Sequence, residues 1–193
     1  MSKYIEKYPW LRCTNLYTGK LYTDRDAMDD MFEQAPGWEK AFGEMFCEEM
    51  DAAIKAANLQ DEFFIAQLKE KFGALRVYVS HKTKEIADIL RKYEAISSHV
   101  CIECGKPDVP MTYGGWICPM CEDCFCNRKH RTYTKEQYIE ATQNSKSQII
   151  EEVVYTVWDP KSHNPRDEGI TIKQDISQTV KAIREKWSQN KDN

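Results

Sequence analysis

Six of the eight cysteines of this chain lie between Cys101 and Cys126, in a stretch that reads CIECGKPDVPMTYGGWICPMCEDCFC. Two pairs of cysteines on either side of a glycine-containing hairpin can supply the four thiolate ligands of a tetrahedral zinc ion. Such a site is structural, because four protein ligands leave no coordination position for a substrate. The stretch therefore predicts a bound Zn²⁺ in a small zinc module.

The first pair consists of Cys101 and Cys104 and is followed by Gly105. A CxxCG sequence directs two sulfurs at one ion while the backbone turns sharply, and glycine tolerates the φ angle that this turn requires. We expect these two cysteines to supply half of the ligands. His99 lies just ahead of them and is an alternative ligand if one cysteine does not bind.

The second pair has two interpretations, because Cys118, Cys121 and Cys124 form two overlapping CxxC sequences. If Cys118 and Cys121 bind the metal, they form another knuckle around Pro119, and the module is a zinc ribbon. If Cys121 and Cys124 bind it, they lie in the first turn of a helix that begins near Glu122, where the helix dipole stabilises thiolates. The second arrangement is that of a treble clef.

A treble clef also needs a β-hairpin between its cysteine pairs, and residues 111–117 predict one with Gly114-Gly115 as its turn. Other uses of the cysteines fit the sequence less well. Disulfides are disfavoured because no apolar signal segment opens the chain, and a redox CxxC pair needs a βαβ unit around it. A four-cysteine iron–sulfur cluster is the remaining alternative to zinc.

A run of basic residues, Arg128-Lys129-His130-Arg131, follows the cysteine stretch directly. At the end of a treble-clef helix, such residues can lie along the phosphates of a nucleic acid. Cationic residues are also favoured at any helix C-terminus by the helix dipole. The run is therefore a candidate nucleic-acid contact with an ordinary structural explanation beside it.

Length and composition limit what the chain can be. Its 193 residues can bury a real core, and 41% hydrophobic with 11% aromatic residues argue against disorder. The net charge is −4, and four zinc-bound thiolates with one Zn²⁺ would bring it to about −6. This charge does not favour general binding to nucleic acid. No stretch resembles a membrane span, and we expect a cytoplasmic protein.

The elements ahead of the cysteines predict an α+β domain over residues 1–98. Residues 1–36 are aromatic and irregular, with a turn at 18–20 between two extended pieces, and we expect them to cover the core as a flap. A helix is predicted over Gly37–Leu59. Its apolar side contains Phe42, Met45, Phe46, Met50, Ala53, Ile54 and Ala57, and its water-facing side contains Glu44, Glu48, Glu49 and Asp51.

Period-two alternation on both sides of residues 69–73 predicts an antiparallel hairpin from Phe63 to Ser80, with a helix over Phe63–Phe72 as the alternative. A second amphipathic helix is predicted over Lys84–Ser98. Because it ends just before Cys101, we expect the zinc module, residues 99–131, to be docked on the N-terminal domain.

Residues 132–193 predict a small α+β extension, either an appendage or a partner-binding tail. Thr134 and Gln137 form a capping box that begins a helix. Strands are predicted at Val153–Trp158 and Ile170–Lys173, with a proline-containing loop between them. A final helix is predicted over Ser177–Ser188.

Three features of the sequence are shared with a known group of proteins: Gly37-Trp38 at the start of a helix, the block KEKFGALRVY from Lys69 to Tyr78, and the segment Cys101–Cys124. In these features the chain resembles a group of uncharacterised zinc-binding proteins of bacteriophage and prophage genomes, over somewhat more than half its length. The resemblance places the second metal-binding pair after the Gly-Trp-Ile sequence, at Cys121 and Cys124, with Cys118 as the rival ligand. It implies a phage-type zinc protein but no established activity.

Catalytic motifs are missing from the sequence, which contains no GxxxxGK loop, GxSxG elbow or HExxH pair. We therefore expect a non-enzymatic protein that binds a bacterial host factor, or another phage protein, in the host cytoplasm. Host defence or regulation is the expected context. A nucleic-acid-binding zinc protein and a binder of a small ligand such as a nucleotide are the alternatives.

Overall fold

The computed structural model describes residues 3–15, 18, 20–113, 115–128, 131–157 and 169–191. Near the N-terminus a short 3₁₀ turn (Pro9–Leu11) leads into strand β1 (Arg12–Thr14), which pairs antiparallel with β2 (Leu21–Asp26). Helix α1 (Ala27–Gln34) follows β2 without a loop. The predicted turn between two extended pieces lies between β1 and β2, although its Gly19 is outside the described residues.

The prediction that residues 1–36 are irregular is wrong at α1. The side chain of Asp26 caps this helix by accepting hydrogen bonds from the backbone N–H groups of Met28, at 2.9 Å, and Asp29, at 3.1 Å. The buried residues Met28, Met31 and Phe32 recur at spacings of three and four. A cap followed by an apolar stripe is what begins and packs an amphipathic helix.

The N-terminal aromatic residues belong to the core. Tyr4, Tyr8 and Trp10 are all buried, and the Trp10 ring meets the ring of Phe63 edge to face at 5.9 Å between centroids. The indole Nε1–H of Trp10 donates to the Asp51 carboxylate at 3.2 Å. Edge-to-face contacts and a satisfied indole N–H are typical of structural aromatic side chains.

A helical segment from Pro36 to Ala56 forms the centre of the N-terminal part. It consists of α2 (Pro36–Trp38), a π-helical turn (Glu39–Gly43) and α3 (Glu44–Ala56), and it ends before Asn58, which adopts a φ of 56°. The sequence predicted this helix but not its π turn. Of the predicted apolar side, Phe42, Phe46, Met50 and Ile54 are buried, and Met45, Ala53 and Ala57 are partly buried.

The acidic side of this segment does not form a free anionic surface. Lys7 lies 3.7 Å from Glu44 and 3.4 Å from Glu48. Glu49 pairs with Lys92 and accepts from the Tyr93 hydroxyl at 3.1 Å. These carboxylates are therefore matched by cations and hydroxyls of the same chain, and the predicted water-facing side is partly a contact surface within the fold.

The predicted hairpin consists of β3 (Ile65–Lys71) and β4 (Ala74–Val79), joined by the two-residue turn Phe72-Gly73. The alternative of a helix over Phe63–Phe72 is wrong. Helix α4 (Lys84–Ser97) follows, and the Thr83 hydroxyl caps it by accepting from the backbone N–H of Ile86 at 3.3 Å.

Three small elements carry the second half of the cysteine stretch: the hairpin β5 (Met111–Thr112) with β6 (Cys118–Pro119), and helix α5 (Glu122–Cys126). A second hairpin pairs β7 (Asn127–Arg128) with β8 (Arg131–Thr132). The second strand of the first hairpin begins just after the predicted 111–117 range.

The C-terminal segment has the predicted order of elements: α6 (Lys135–Thr142), β9 (Glu152–Val157), β10 (Ile170–Asp175) and α7 (Ser177–Lys191). The capping box of Thr134 and Gln137 is present at the start of α6. Trp158 and the loop after it lie outside the described residues. Among the described residues, each sheet is a two-stranded antiparallel ladder.

One apolar core connects the three predicted domains. Buried residues of the N-terminal part such as Tyr93 belong to the same cluster as Cys101 and Ile102 of the cysteine stretch and Val180 and Ile183 of α7. The fold is therefore α+β, and buried residues of the cysteine stretch are part of its core.

Candidate metal centre

The first cysteine pair lies on a tight backbone knuckle. The backbone N–H of Cys101 donates to the carbonyl of Lys106 at 2.8 Å, and the N–H of Gly105 donates to the carbonyl of Cys101 at 3.0 Å. Gly105 adopts a φ of +88°, in the left-handed region that the CxxCG sequence predicted. This turn brings the thiols of Cys101 and Cys104 to the same side of the backbone.

The second pair is positioned by the short helix α5. Cys121 is the residue that precedes the helix, and Cys124 lies within its first turn. The backbone N–H of Cys121 points at the sulfur of Cys101 at 3.5 Å. An N–H donor aimed at a sulfur stabilises that sulfur as a thiolate, because the thiolate is the stronger hydrogen-bond acceptor.

The four thiols form one compact cluster. The sulfur atoms of Cys101, Cys104, Cys121 and Cys124 all lie within 4.8 Å of one another, and those of Cys104 and Cys121 are 3.7 Å apart. Four sulfurs at about 2.3 Å from a tetrahedral zinc ion are about 3.8 Å from one another. A disulfide bond would be about 2.0 Å long. The cluster therefore has the dimensions of a metal site.

The protonation pattern also fits a cation site. Hydrogen bonds from Cys104, Cys121 and Cys124 lower the pKa of Cys101, although burial of its sulfur opposes the shift. The pKa values of Cys104 and Cys124 are raised, first because each thiol donates to the Cys101 sulfur. The hydrogen bond with Cys101 acts to raise the pKa of Cys121, but those with Cys104 and Cys124 outweigh it, so this pKa is lowered as well. A divalent cation replaces the remaining protons and removes the repulsion between thiolates.

Cys118 lies outside this cluster. Its buried sulfur is 3.7 Å from the Thr112 hydroxyl and 3.8 Å from the Arg128 guanidinium. Burial raises the pKa of the Cys118 thiol. This placement matches the interpretation that uses Cys121 and Cys124, and it does not match the ribbon interpretation.

The alternative ligand His99 is also outside the cluster. Its buried Nδ1 has no hydrogen-bond partner among the described residues, and burial lowers the pKa of the imidazole. Among the residues that the structure describes, the four-thiol cluster is the one group of His, Cys, Asp or Glu side chains arranged to hold a metal.

The N-terminal part contacts the knuckle backbone to backbone at Gly37. The N–H of Gly37 donates to the carbonyl of Ile102 at 2.8 Å. A Cβ atom on Gly37 would lie 2.2 Å from the carbonyl oxygen of Cys101 and 2.5 Å from the backbone nitrogen of Gly105. Beside it, the fully buried indole of Trp38 donates to the carbonyl of Val100 at 3.0 Å. The Gly-Trp sequence therefore packs α2 directly on the metal knuckle.

The β3–β4 hairpin braces the other side of the cysteine stretch. One carboxylate oxygen of Glu70 accepts from the backbone N–H of Gly73 at 2.6 Å, and the other accepts from the indole of Trp116 at 3.2 Å. A Cβ on Gly73 would lie 2.3 Å from the sulfur of Met111 and 3.2 Å from Pro119. The KEKFG block is thus the part of the hairpin that touches the β5–β6 hairpin.

Within the basic run, Arg128 lies in β7, directly after α5 ends at Cys126, and Arg131 lies in β8. The guanidinium of Arg128 is 3.4 Å from the Met120 sulfur and 5.0 Å from the centre of the Phe125 ring. Arg131 is exposed and lies 5.0 Å from the centre of the Tyr133 ring. Lys129 and His130 are outside the described residues.

A groove of about 510 Å³ lies beside the cluster and is lined by Cys124, Trp116, Arg128, Arg131 and Tyr133, with Glu33 and Glu103 among its other lining residues. Sequence reasoning did not identify it, because Trp116 and Tyr133 come from separate elements. Only the packing of those elements brings the rings and guanidinium groups to one depression.

Comparison with protein-family models, curated proteins and solved structures gave no match. The resemblance to phage zinc proteins therefore stays a prediction. No helix in the described part of the chain is both long and apolar enough to cross a lipid bilayer.

Proposed function

We propose that Cys101, Cys104, Cys121 and Cys124 bind one structural Zn²⁺ in a treble-clef module. The order of elements supports this: a knuckle, the β5–β6 hairpin and then α5 carrying the second pair. Four thiolates favour zinc over harder cations such as Mg²⁺ or Ca²⁺. An iron–sulfur cluster is the competing occupant, and visible absorption distinguishes it from colourless zinc.

The chain acts as a non-enzymatic binding protein whose partner is a protein of a bacterial host, as the phage resemblance implies. The closed four-thiol site carries this proposal, because four sulfur ligands leave no coordination position for a substrate or activated water. The site is also braced by Gly37 on one side and by the Glu70–Trp116 contact on the other. A module braced in this way holds the protein surface around it in one conformation, which a partner protein can recognise.

Affinity capture tests this function. Tagged protein that contains zinc is incubated with bacterial lysate, and the retained proteins are identified and purified. We expect one of them to bind the purified chain directly at a defined stoichiometry. Metal-loaded protein that retains no host protein would contradict the proposal.

Nucleic-acid binding is the second candidate, because Arg128 and Arg131 lie beside aromatic rings and neither has a carboxylate within 4.0 Å among the described residues. Cations next to aromatic rings suit single strands, and Arg131 is the exposed one of the two. Arg131→Ala tests this candidate better than a change at Arg128 does, because Arg128 also packs against Met120 and Cys118 and its replacement would disturb that packing. Lys181→Ala, which removes an exposed cation on α7, is the control. Lack of any binding to a single-stranded oligonucleotide at low salt would eliminate this candidate.

A further inference from the structure

The turn between β3 and β4 presents the most exposed aromatic ring among the described residues. Phe72 is 71% exposed, although a phenylalanine in a well-folded chain is usually buried. It lies at the end of a hairpin that projects towards the metal module. Its side chain therefore contributes little to the core of this chain.

The backbone of this turn is unfavourable for phenylalanine. Phe72 and Gly73 have φ values of 53° and 78°, and they are the two central residues of a two-residue hairpin turn. A turn with positive φ at both positions strongly favours Asn-Gly or Asp-Gly. A bulky side chain in the left-handed region is strained, and such strain is typical of functional positions.

The turn is held rigidly in place. The Glu70 carboxylate joins the backbone of Gly73 to the Trp116 indole, and Gly73 packs against Met111 and Pro119. The Phe72 ring is thus presented from a fixed backbone. A pre-organised anchor loses little entropy when it binds.

Two ammonium groups lie near the aromatic rings of this hairpin, whereas the Glu70 carboxylate of the same turn is already bound to Gly73 and Trp116. The ammonium group of Lys71 lies 5.5 Å from the centre of the Phe72 ring, and that of Lys69 lies 5.4 Å from the ring of Tyr78. Neither lysine has a carboxylate within 4.0 Å in the described part of the chain.

We propose that Phe72, Lys69 and Lys71, together called the Phe72 tip, anchor this chain to its protein partner. The ring enters an apolar pocket on the partner, and the two ammonium groups pair with carboxylates at the rim of that pocket. This inference rests on the proposed function and specifies which surface carries it. Buried aromatic anchors surrounded by complementary charge are typical interface hot spots.

A protein fits the tip better than a nucleic acid does. The tip offers one ring rather than a series of stacking platforms, and the Glu70 carboxylate lies within the same turn. The net charge of −4 also disfavours approach to the continuous negative charge of a phosphate backbone. A partner pocket needs to accommodate one ring and two cations.

The variant Phe72→Asn tests the tip, because asparagine suits the positive φ of the turn and removes only the ring. Ile170→Thr is the matched control, since Ile170 is 72% exposed and lies in a different hairpin. Both variants and wild-type protein are used to capture proteins from bacterial lysate. The protein retained by wild type is identified and purified, and its affinity for each variant is measured by calorimetry.

We expect about a tenfold or greater loss of affinity for Phe72→Asn, which corresponds to the effect of a hot-spot residue. Ile170→Thr should bind within about twofold of wild type, as expected for an exposed residue outside an interface. The double variant Lys69→Gln with Lys71→Gln should also weaken binding and reduce its dependence on salt.

The possible failures are distinguishable. If wild type retains no protein, the proposed function itself is contradicted. If wild type and Phe72→Asn bind the purified partner equally, the Phe72 tip is not the anchor, but the proposed function is not contradicted. A concentration-dependent dimer of wild type that is lost in Phe72→Asn would assign the tip to a second copy instead. Oligonucleotide binding lost in the same variant would assign it to nucleic acid.

Discussion

At the scale of single residues, the most demanding position is Gly37, where any side chain would collide with the knuckle backbone. We expect Gly37→Ala to lower the free energy of unfolding by about 2 kcal/mol or more, because neither clashing atom belongs to a flexible side chain. The same change should reduce metal retention. Chemical denaturation and zinc content measure the two effects.

Gly115→Ala provides the control for this change. A Cβ on Gly115 meets no atom within 4 Å, so its effect on the free energy of unfolding should stay within about 0.5 kcal/mol. Equal stability of the Gly37→Ala and Gly115→Ala proteins would contradict the close packing of α2 on the metal knuckle.

The ligand assignment is tested by two cysteine variants. Cys124→Ser removes one sulfur of the cluster and should lower the zinc content well below one per chain. Cys118→Ser changes a thiol outside the cluster and should leave the metal in place. Elemental analysis of both purified proteins separates these results. Zinc lost from the Cys118 variant and kept by the Cys124 variant would support the ribbon interpretation.

At the scale of elements, α7 is attached to the loop ahead of β5 by a bidentate ion pair. The guanidinium of Arg184 donates to the two carboxylate oxygens of Asp108 at 2.8 and 2.9 Å. Burial of Asp108 favours its neutral form, but the hydrogen bonds from Arg184 and from the Ile149 N–H outweigh burial and lower the pKa of the carboxyl group below 3.8.

A lowered pKa makes this pair a source of stability at neutral pH. The contribution is present above the pKa of the unfolded chain and is lost as the pH falls through the lower pKa of the folded protein. We expect Asp108→Asn to destabilise the protein at pH 7 by about 1–2 kcal/mol and to matter progressively less below about pH 4.

Urea unfolding of wild type and Asp108→Asn at several pH values checks this prediction. Thiolate protonation affects both proteins, so the difference between them isolates Asp108. Glu185→Ala, which removes an exposed partner of Lys181 on the same helix, should change stability by less than about 0.5 kcal/mol. A constant difference between wild type and Asp108→Asn across the acid range would contradict the ion pair.

The sequence predicted those elements whose signals are local. The apolar stripe of α3, the alternation of β3 and β4 and the capping box of α6 each lie within one short segment. Helix α1 was not predicted, although the Asp26 cap and the apolar residues Met28, Met31 and Phe32 are local signals for it. The π turn over Glu39–Gly43 has no comparable signal in the sequence.

The metal cluster was likewise predictable only where the signal is local. The spacing of Cys101 and Cys104 predicted one pair, whereas the overlap of Cys118, Cys121 and Cys124 left the second pair undecided. Only the three-dimensional path of β6 directs the Cys118 sulfur towards Thr112 and away from the cluster. The Asp108–Arg184 pair joins residues far apart in the chain and could not be predicted from spacing.

At the scale of the whole molecule, the cluster lies where three parts of the chain meet. Gly37 and Trp38 contact the knuckle from the N-terminal part, and a cavity of about 290 Å³ lined by Cys104, Ile183 and Trp187 lies between the knuckle and α7. We therefore expect removal of the metal by a chelator to lower the melting temperature of the whole chain. Loss of the module alone, with an unchanged main transition, would contradict this coupling.

X-ray absorption spectroscopy of the purified protein, together with its zinc content, tests the central claim most directly. The account predicts one zinc per chain with four sulfur ligands at about 2.3 Å and no nitrogen or oxygen ligand. A fully folded protein without metal, or an ion with fewer than four sulfurs and a bound water, would contradict it.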